Sequence, residues 1–298
     1  MRSSRRQFMA GLGAAALTAG RAPAATNGIQ FGYAAMTWGK EEKQAAADIA
    51  QAGFTGIQFR IDATTEFQPG ELKSLLQSKK LTFVALSSGD VSLDVPEAET
   101  IARHTANAKF VRDAGGVYLQ VLDQLKAYPR TVATDEPKRL GKLLTEIGKR
   151  SADLGVPLAY HNHMNTISEH PANLDIVMEN SDPKYVKLLL DTAHSVAGGG
   201  DPAAMIAKYH ERIQFLHLKD VVDIPADTPG AKYPFLWVEL GRGKVNLPAV
   251  FSALDKVKYS GWAVVELDRV PVKDRTPLES AMISRKFLEE KIGVKFAS

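Results

Sequence analysis

The stretch Val186-Lys187-Leu188-Leu189-Leu190-Asp191-Thr192-Ala193-His194 decides the fold. Its apolar run is broken only by Lys187, so it reads as a strand buried on both faces. The run stops at a carboxylate, Asp191, with His194 three residues on. The same grammar recurs. Val156–Tyr160 runs into His161, Asn162 and His163; Ile213–Leu218 delivers His217, followed by Lys219 and Asp220; Ala263–Leu267 delivers Glu266. Four apolar runs thus present ionisable side chains at their C-terminal ends. In a parallel barrel those ends share one rim, and active sites are built there.

Working outward, short apolar runs alternate with longer amphipathic ones from Ile29 onward. Strands are predicted at Gln30–Met36, Gly56–Phe59, Leu81–Leu86, Val117–Leu122, Pro157–His161, Val186–Asp191, Ile213–Leu218 and Ala263–Leu267. Helices are predicted at Glu41–Ala52, Pro69–Ser78, Pro96–Ala114, Asp135–Leu154, Pro171–Met178, Pro202–Tyr209, Leu247–Val257 and Pro277–Lys291. Eight strand–helix units in about ~250 residues predict an α/β fold, a (β/α)8 TIM barrel. A doubly wound open sheet normally carries a glycine-rich phosphate loop after its first strand. Here the first strand ends in Met36-Thr37-Trp38-Gly39. No composition shift splits residues 25–298, which read as a single domain. Val221–Asn246 reads as a long insertion, a lid or a subunit contact in a homo-oligomer.

The chain has 298 residues and no cysteine, which excludes a disulfide framework, thiolate metal sites and a cysteine nucleophile. Residues 1–24 read as a twin-arginine signal peptide: Ser4-Arg5-Arg6-Gln7-Phe8-Met9, a weakly hydrophobic run to Ala19, and Ala22-Pro23-Ala24 as a cleavage site. The run is too short to span a membrane, so export to a bacterial periplasm is expected. The leader holds four arginines and no acid, leaving 33 basic residues against 34 acidic ones; the formal +3 becomes −1. That balance argues against nucleic acid or an anionic membrane as partner and leaves a small molecule.

Five of the seven histidines (His161, His163, His170, His194 and His217) fall at or just after a predicted strand end. Asp191, His217 and Glu266 come from three successive strands. Two carboxylates and an imidazole suit Mn2+, Mg2+, Co2+ or Zn2+ with open positions for water or substrate. His161, His163 and Glu169 are candidates for a fourth ligand; Glu169 equally suits an acid stabilised by the dipole of the Pro171 helix. His194 is placed to orient Asp191 or to contact substrate. Lys219 and Asp220 suit substrate hydroxyls or mutual pairing. Arg60 suits an anionic or hydroxylated substrate, or a rim salt bridge. Trp38 and Trp237 suit apolar walls against a sugar ring, or plain packing.

Tyr160-His161-Asn162-His163-Met164-Asn165-Thr166, Asp191-Thr192-Ala193-His194, His217-Leu218-Lys219-Asp220, Leu240-Gly241-Arg242-Gly243 and Val265-Glu266-Leu267-Asp268 are each weak signals. In this order and spacing, the chain resembles the xylose-isomerase-like TIM-barrel superfamily of sugar isomerases, epimerases and keto-sugar dehydratases over about Ile29–Gly293. The resemblance implies a metal held by Glu, Asp, His and Glu, with Asp191, His217 and Glu266 in the last three positions. Many relatives carry Glu at the end of strand five, where this chain has His161. The Y-H-x-H-M-x-T pattern is similar to the inosose dehydratase branch, in which Glu169 would supply the missing ligand.

That resemblance implies a polyol or sugar substrate and proton abstraction next to a carbonyl, with an enediolate stabilised by the metal. Glu266, His163 or Glu169 would move the proton, with Lys219 assisting and His161, His194, Arg60, Trp38 and Trp237 lining the substrate. Superfamily breadth favours an isomerase or epimerase, with a keto-sugar or ketocyclitol dehydratase, a lyase, as the alternative. A non-catalytic periplasmic sugar-binding protein would need two lobes, and no second domain is visible. A metal-dependent endonuclease would need a basic track that the charge near −1 does not supply.

Overall fold

In the computed structural model, described for residues 28–123, 125, 130–225, 227–229 and 233–296, the eight predicted strands close on themselves. They are β1 (Ile29–Ala34), β2 (Gly56–Arg60), β3 (Thr82–Val91), β4 (Tyr118–Asp123), β5 (Leu158–His161), β6 (Val186–Asp191), β7 (Ile213–Leu218) and β10 (Gly261–Val265). All neighbours are parallel, and β1 pairs with both β2 and β10. Two further strands, β8 (Asp220–Asp223) and β9 (Phe235–Val238), form a separate antiparallel hairpin. That hairpin occupies the stretch read as an insertion. The signal peptide read at residues 1–24 lies outside the described residues.

Helices alternate with the strands because the sequence switches from period 2 to period 3.6 between them. Pro137 opens the helix Glu136–Asp153, and Leu140, Leu143, Leu144 and Ile147 form its buried stripe. The helix Pro277–Phe287 starts at a reciprocal cap in which Thr276 and Glu279 bond each other's backbone N–H. Such faces pack a large core between barrel and helices.

The barrel interior is filled separately, by Val84, Ala85, Ala159, Leu189, Phe215, Trp262 and Val264, with Tyr118 stacked on Phe215 at 5.3 Å. Strand side chains alternate between faces, so the residues two positions further on point into the same interior, one layer higher. After Ala159, Leu189, Phe215 and Val264 those residues are His161, Asp191, His217 and Glu266. After Gly56 and Tyr118 they are Gln58 and Gln120. An apolar layer thus supports a polar layer at the C-terminal rim.

Candidate metal centre

His161 ends β5, Asp191 ends β6, His217 is the last residue but one of β7, and Glu266 directly follows β10. Asp191 and His217 are register partners. One ligand atom from each of the four lies within 4.8 Å of the others, and all four side chains are buried. His161 Nε2 and His217 Nδ1 each lie 3.5 Å from Asp191 Oδ2, and His217 Nδ1 lies 2.6 Å from Glu266 Oε2.

These four atoms are also among the few buried polar atoms with no hydrogen-bond partner. Nδ1 and Oε2 are close, yet out of line for a hydrogen bond. Four orphaned atoms on one point, in a site too buried for water to compensate, are costly unless something cationic sits among them. Two imidazoles and two carboxylates suit one divalent metal ion.

The surroundings hold each ligand in position. Asp191 divides its carboxylate: Oδ1 accepts the N–H groups of Ala193 and His194, both at 2.8 Å, and caps the short helix Thr192–Ala197, leaving Oδ2 for the centre. Asn162 brackets the same residue, accepting the Asp191 N–H at 2.9 Å and donating to Ser195 Oγ at 3.1 Å. His217 Nε2–H donates to Gln58 Oε1 at 2.8 Å, which leaves Nδ1 as the atom facing the centre. Gln120 Nε2 lies 3.2 Å from His161 Nδ1, while its Oε1 has no partner. A metal on His161 Nε2 would put the proton on Nδ1, and half a turn of the amide would bring that oxygen round to accept it.

Charge in the cluster is strongly biased. Burial pushes the Asp191 carboxyl up, but His161 and His217 pull it well below the usual range; burial also raises Glu266, and His217 with Lys219 brings it well down. Burial depresses His161, and the pull of Asp191 does not restore it. His217 behaves oppositely: burial lowers it, but Glu266 and Asp191 raise it to about 9.

Beyond these four residues stands Lys219. Burial disfavours its ammonium, but Asp268, Glu266 and Asp191 more than restore it, so it stays charged. Its Nζ lies 2.5 Å from Asp268 Oδ1, 3.6 Å from Glu266 Oε2 and 3.2 Å from His194 Nε2, and 4.6 Å from the centre of the Trp237 ring. His194 packs between Trp237 at 4.6 Å and His163 at 3.8 Å, ring centre to ring centre. His163 Nδ1–H donates to Met164 O at 2.6 Å, leaving Nε2 as an acceptor. Burial is the main reason its pKa is lowered to about 4, so the ring is neutral.

The structure therefore brings together Asp191, His217, Glu266, His161, His163, His194, Lys219 and Trp237. It does not bring in the rest. The Glu169 carboxylate accepts the Asn165 N–H at 3.0 Å and is not one of the four groups at the centre; His161 fills that corner, being in phase with Ala159. Trp38 donates its indole N–H to Asp48 at 2.7 Å and packs edge-on against Tyr33. Arg60 bonds Gly39 O at 3.3 Å and Asp62 at 2.8 Å, a rim salt bridge. His170 bonds Gly198 O at 3.1 Å.

Asp220 pairs neither with Lys219 nor with solvent. It accepts four backbone N–H groups, from Val221, Gly241, Gly243 and Val245, at 2.9–3.0 Å. The Leu240–Gly243 motif is thereby explained: a methyl group at Gly243 would overlap the Asp220 carboxylate. The sequence gives no role to Gln58 and Gln120, and carries Asn162 and Asp268 only as motif members. The two glutamines carried a signal, as polar residues at inward positions of otherwise apolar strands.

The family profile described as Xylose isomerase-like TIM barrel matches residues 46–291. The chain belongs to that family. Among the family's curated relatives, an inosose dehydratase of Clostridium beijerinckii is 28% identical, covering 90% of this chain and 99% of the relative. Another inosose dehydratase, from Bacillus cereus, is 29% identical with the same coverage. A solved family-like barrel, the IOLI protein with a binding zinc atom, superposes with a TM-score of 0.73 at 18% identity, over 90% of this chain and 99% of that one. At that identity the likeness concerns the fold.

Proposed function

We propose that this protein is a divalent-metal-dependent lyase that removes water from a ketocyclitol or keto-sugar. A metal ion held by His161, Asp191, His217 and Glu266 would supply Lewis acidity for a substrate carbonyl and for the negative charge that grows on its oxygen. Two nitrogen ligands favour Mn2+, Co2+ or Zn2+ over Mg2+, which prefers oxygen.

The residues then divide the work. Glu266, ionised and beside the centre, and neutral His163 with its free Nε2 are the groups placed to take the proton from the carbon next to the carbonyl. The electrons left behind form the enol, and the hydroxyl on the next carbon departs as water. Tautomerisation of that enol gives a 1,2-diketone. Lys219 is the cation beside the base, placed to donate to the departing oxygen. Trp237, His194 and His163 pack ring against ring as one wall of the site.

Lys219 is the observation that carries this reading over the isomerase or epimerase reading. Elimination needs a proton donor near the base. Lys219 Nζ is that donor, 3.6 Å from Glu266 Oε2. The inosose dehydratase relatives support the same choice.

The test is to load the purified protein with Mn2+ and supply inososes and keto-sugars in deuterated water. Diketone absorbance with loss of water is the expected result. Deuterium uptake into a rearranged or inverted sugar, with no diketone, would overturn it in favour of an isomerase. Export by the twin-arginine leader is part of the proposal, and cell fractionation with Arg5 and Arg6 replaced by lysine tests it.

A further inference from the structure

Next to the metal centre lies a cavity of about 520 Å3, bounded by Tyr233, Phe235 and Trp237 on one side and by Asp268, Arg269 and Pro271 on the other. It adjoins the site through two shared residues. Trp237 is both its wall and the ring against which His194 and Lys219 pack; Asp268 is both its wall and the Lys219 partner. The residues of the metal centre and Lys219 are at most 2% exposed, so the open space beside them is this cavity. The cavity falls within the ~300–1,000 Å3 that hold drug-sized ligands, well above what a six-carbon ring fills.

Its lining is specific. Residues 233, 235 and 237 alternate along β9 and its approach, so their rings share one face. Tyr233 and Phe235 stack 6° from parallel with centres 5.2 Å apart, and the Trp237 ring is 4.8 Å from Phe235 and tilted 52° to it. An aromatic wall offers apolar surface to the C–H face of a saturated ring. Opposite stand a half-exposed carboxylate, Asp268, and the Arg269 guanidinium, which has no hydrogen-bond or ion-pair partner among the described residues. An acceptor and a fork of donors beside an aromatic face are the groups that read vicinal hydroxyls.

We infer that this cavity is a second ring subsite, so that the physiological substrate is a glycoside or disaccharide-like molecule whose outer sugar ring lies along Phe235 and within reach of Arg269 while the inner ring reacts at the centre. The inference rests on the proposed function only for where the reacting ring sits.

Calorimetric titration of the manganese-loaded protein tests it with two non-reacting probe pairs: myo-inositol against its galactoside galactinol, and methyl β-glucopyranoside against cellobiose. In at least one pair the two-ring probe should bind tenfold or more tightly than its single-ring partner. Phe235→Ala and Arg269→Ala should each remove most of that advantage and leave single-ring binding unchanged. Arg269 is exposed, so its substitution leaves the fold intact even if Phe235→Ala disturbs the hairpin. Two-ring probes that bind no more tightly than their single-ring partners in both pairs, or an advantage that survives both substitutions, would overturn the inference. Failure of the lyase reading would show separately, as no diketone from any ketocyclitol or keto-sugar, and would leave these binding outcomes readable.

Discussion

Metal binding at this centre should displace one proton, and the pH dependence of affinity should show it. Before metal arrives, the Asp191 and Glu266 carboxyls are already ionised and His161 is already neutral. His217 alone holds a proton, with a pKa of about 9. Metal needs the bare Nδ1, so below that value each unit of pH costs about tenfold in apparent affinity, or about 1.4 kcal/mol. Between pH 9 and pH 7 the loss is about a hundredfold. Titration calorimetry in buffers of different ionisation enthalpy should count about one proton released per metal at pH 7.5 and almost none above pH 10. The metal-free protein should respond oppositely. His217 has a folded pKa above its unfolded value near 6.5, so its contribution of about 3 kcal/mol is complete below pH 6.5 and lost as pH rises through about 9. An affinity that does not change with pH, or two or more protons released, would refute this reasoning.

Three other predictions concern single residues. Asp191→Asn retains an oxygen for the helix cap but loses the charge facing the centre; it should fold with an unchanged circular dichroism spectrum and bind metal at least about a hundredfold more weakly, since even outer partners of metal ligands are worth ~10–100-fold. Gly243→Ala presses a methyl group into the Asp220 carboxylate and should cost about 1–3 kcal/mol in urea denaturation, with metal affinity at saturation little changed. His104 is buried against Ser88 and the Asp90 carbonyl, and burial with the nearby Arg103 lowers its pKa to about 4. The unfolded chain therefore takes up a proton near pH 6.5 that the folded one refuses. Stability should fall by at most about 3 kcal/mol as pH drops from 6.5 to 4, and His104→Gln should flatten that part of the profile.

The sequence showed most of the barrel because period and punctuation are local. The bounds read for β6, β7 and the helix Pro202–Tyr209 coincide with those observed. The sequence places the last strand at Ala263–Leu267, two residues past its observed start, because Gly261 and Trp262 do not look like a strand start; pairing of Gly261 with Ile29 of β1 makes them one. The hairpin of Asp220–Asp223 and Phe235–Val238 is hard to read because β8 carries an aspartate at each end and follows β7 after a single residue. Asp191, His217 and Glu266 were readable since each closes an apolar run. The fourth corner stays open in the sequence among His161, His163 and Glu169, with the family resemblance favouring Glu169; strand alternation from Ala159 is what leads to His161. Partnerships between distant strands, such as Gln58 with His217 and Lys219 with Asp268, depend on closure of the barrel and leave no local trace. Asp220 illustrates the same limit. Beside a lysine it looks like an ion-pair partner, yet its parity turns it away, onto the backbone of residues 241–245.

The most direct test of the account is where a metal ion sits. Anomalous diffraction from crystals of the manganese-loaded protein should show one ion per chain, coordinated by His161 Nε2, Asp191 Oδ2, His217 Nδ1 and Glu266 Oε2, with Glu169 still on the Asn165 N–H. An ion held elsewhere, an ion that recruits Glu169 in place of His161, or a centre that stays empty at saturating metal would contradict it.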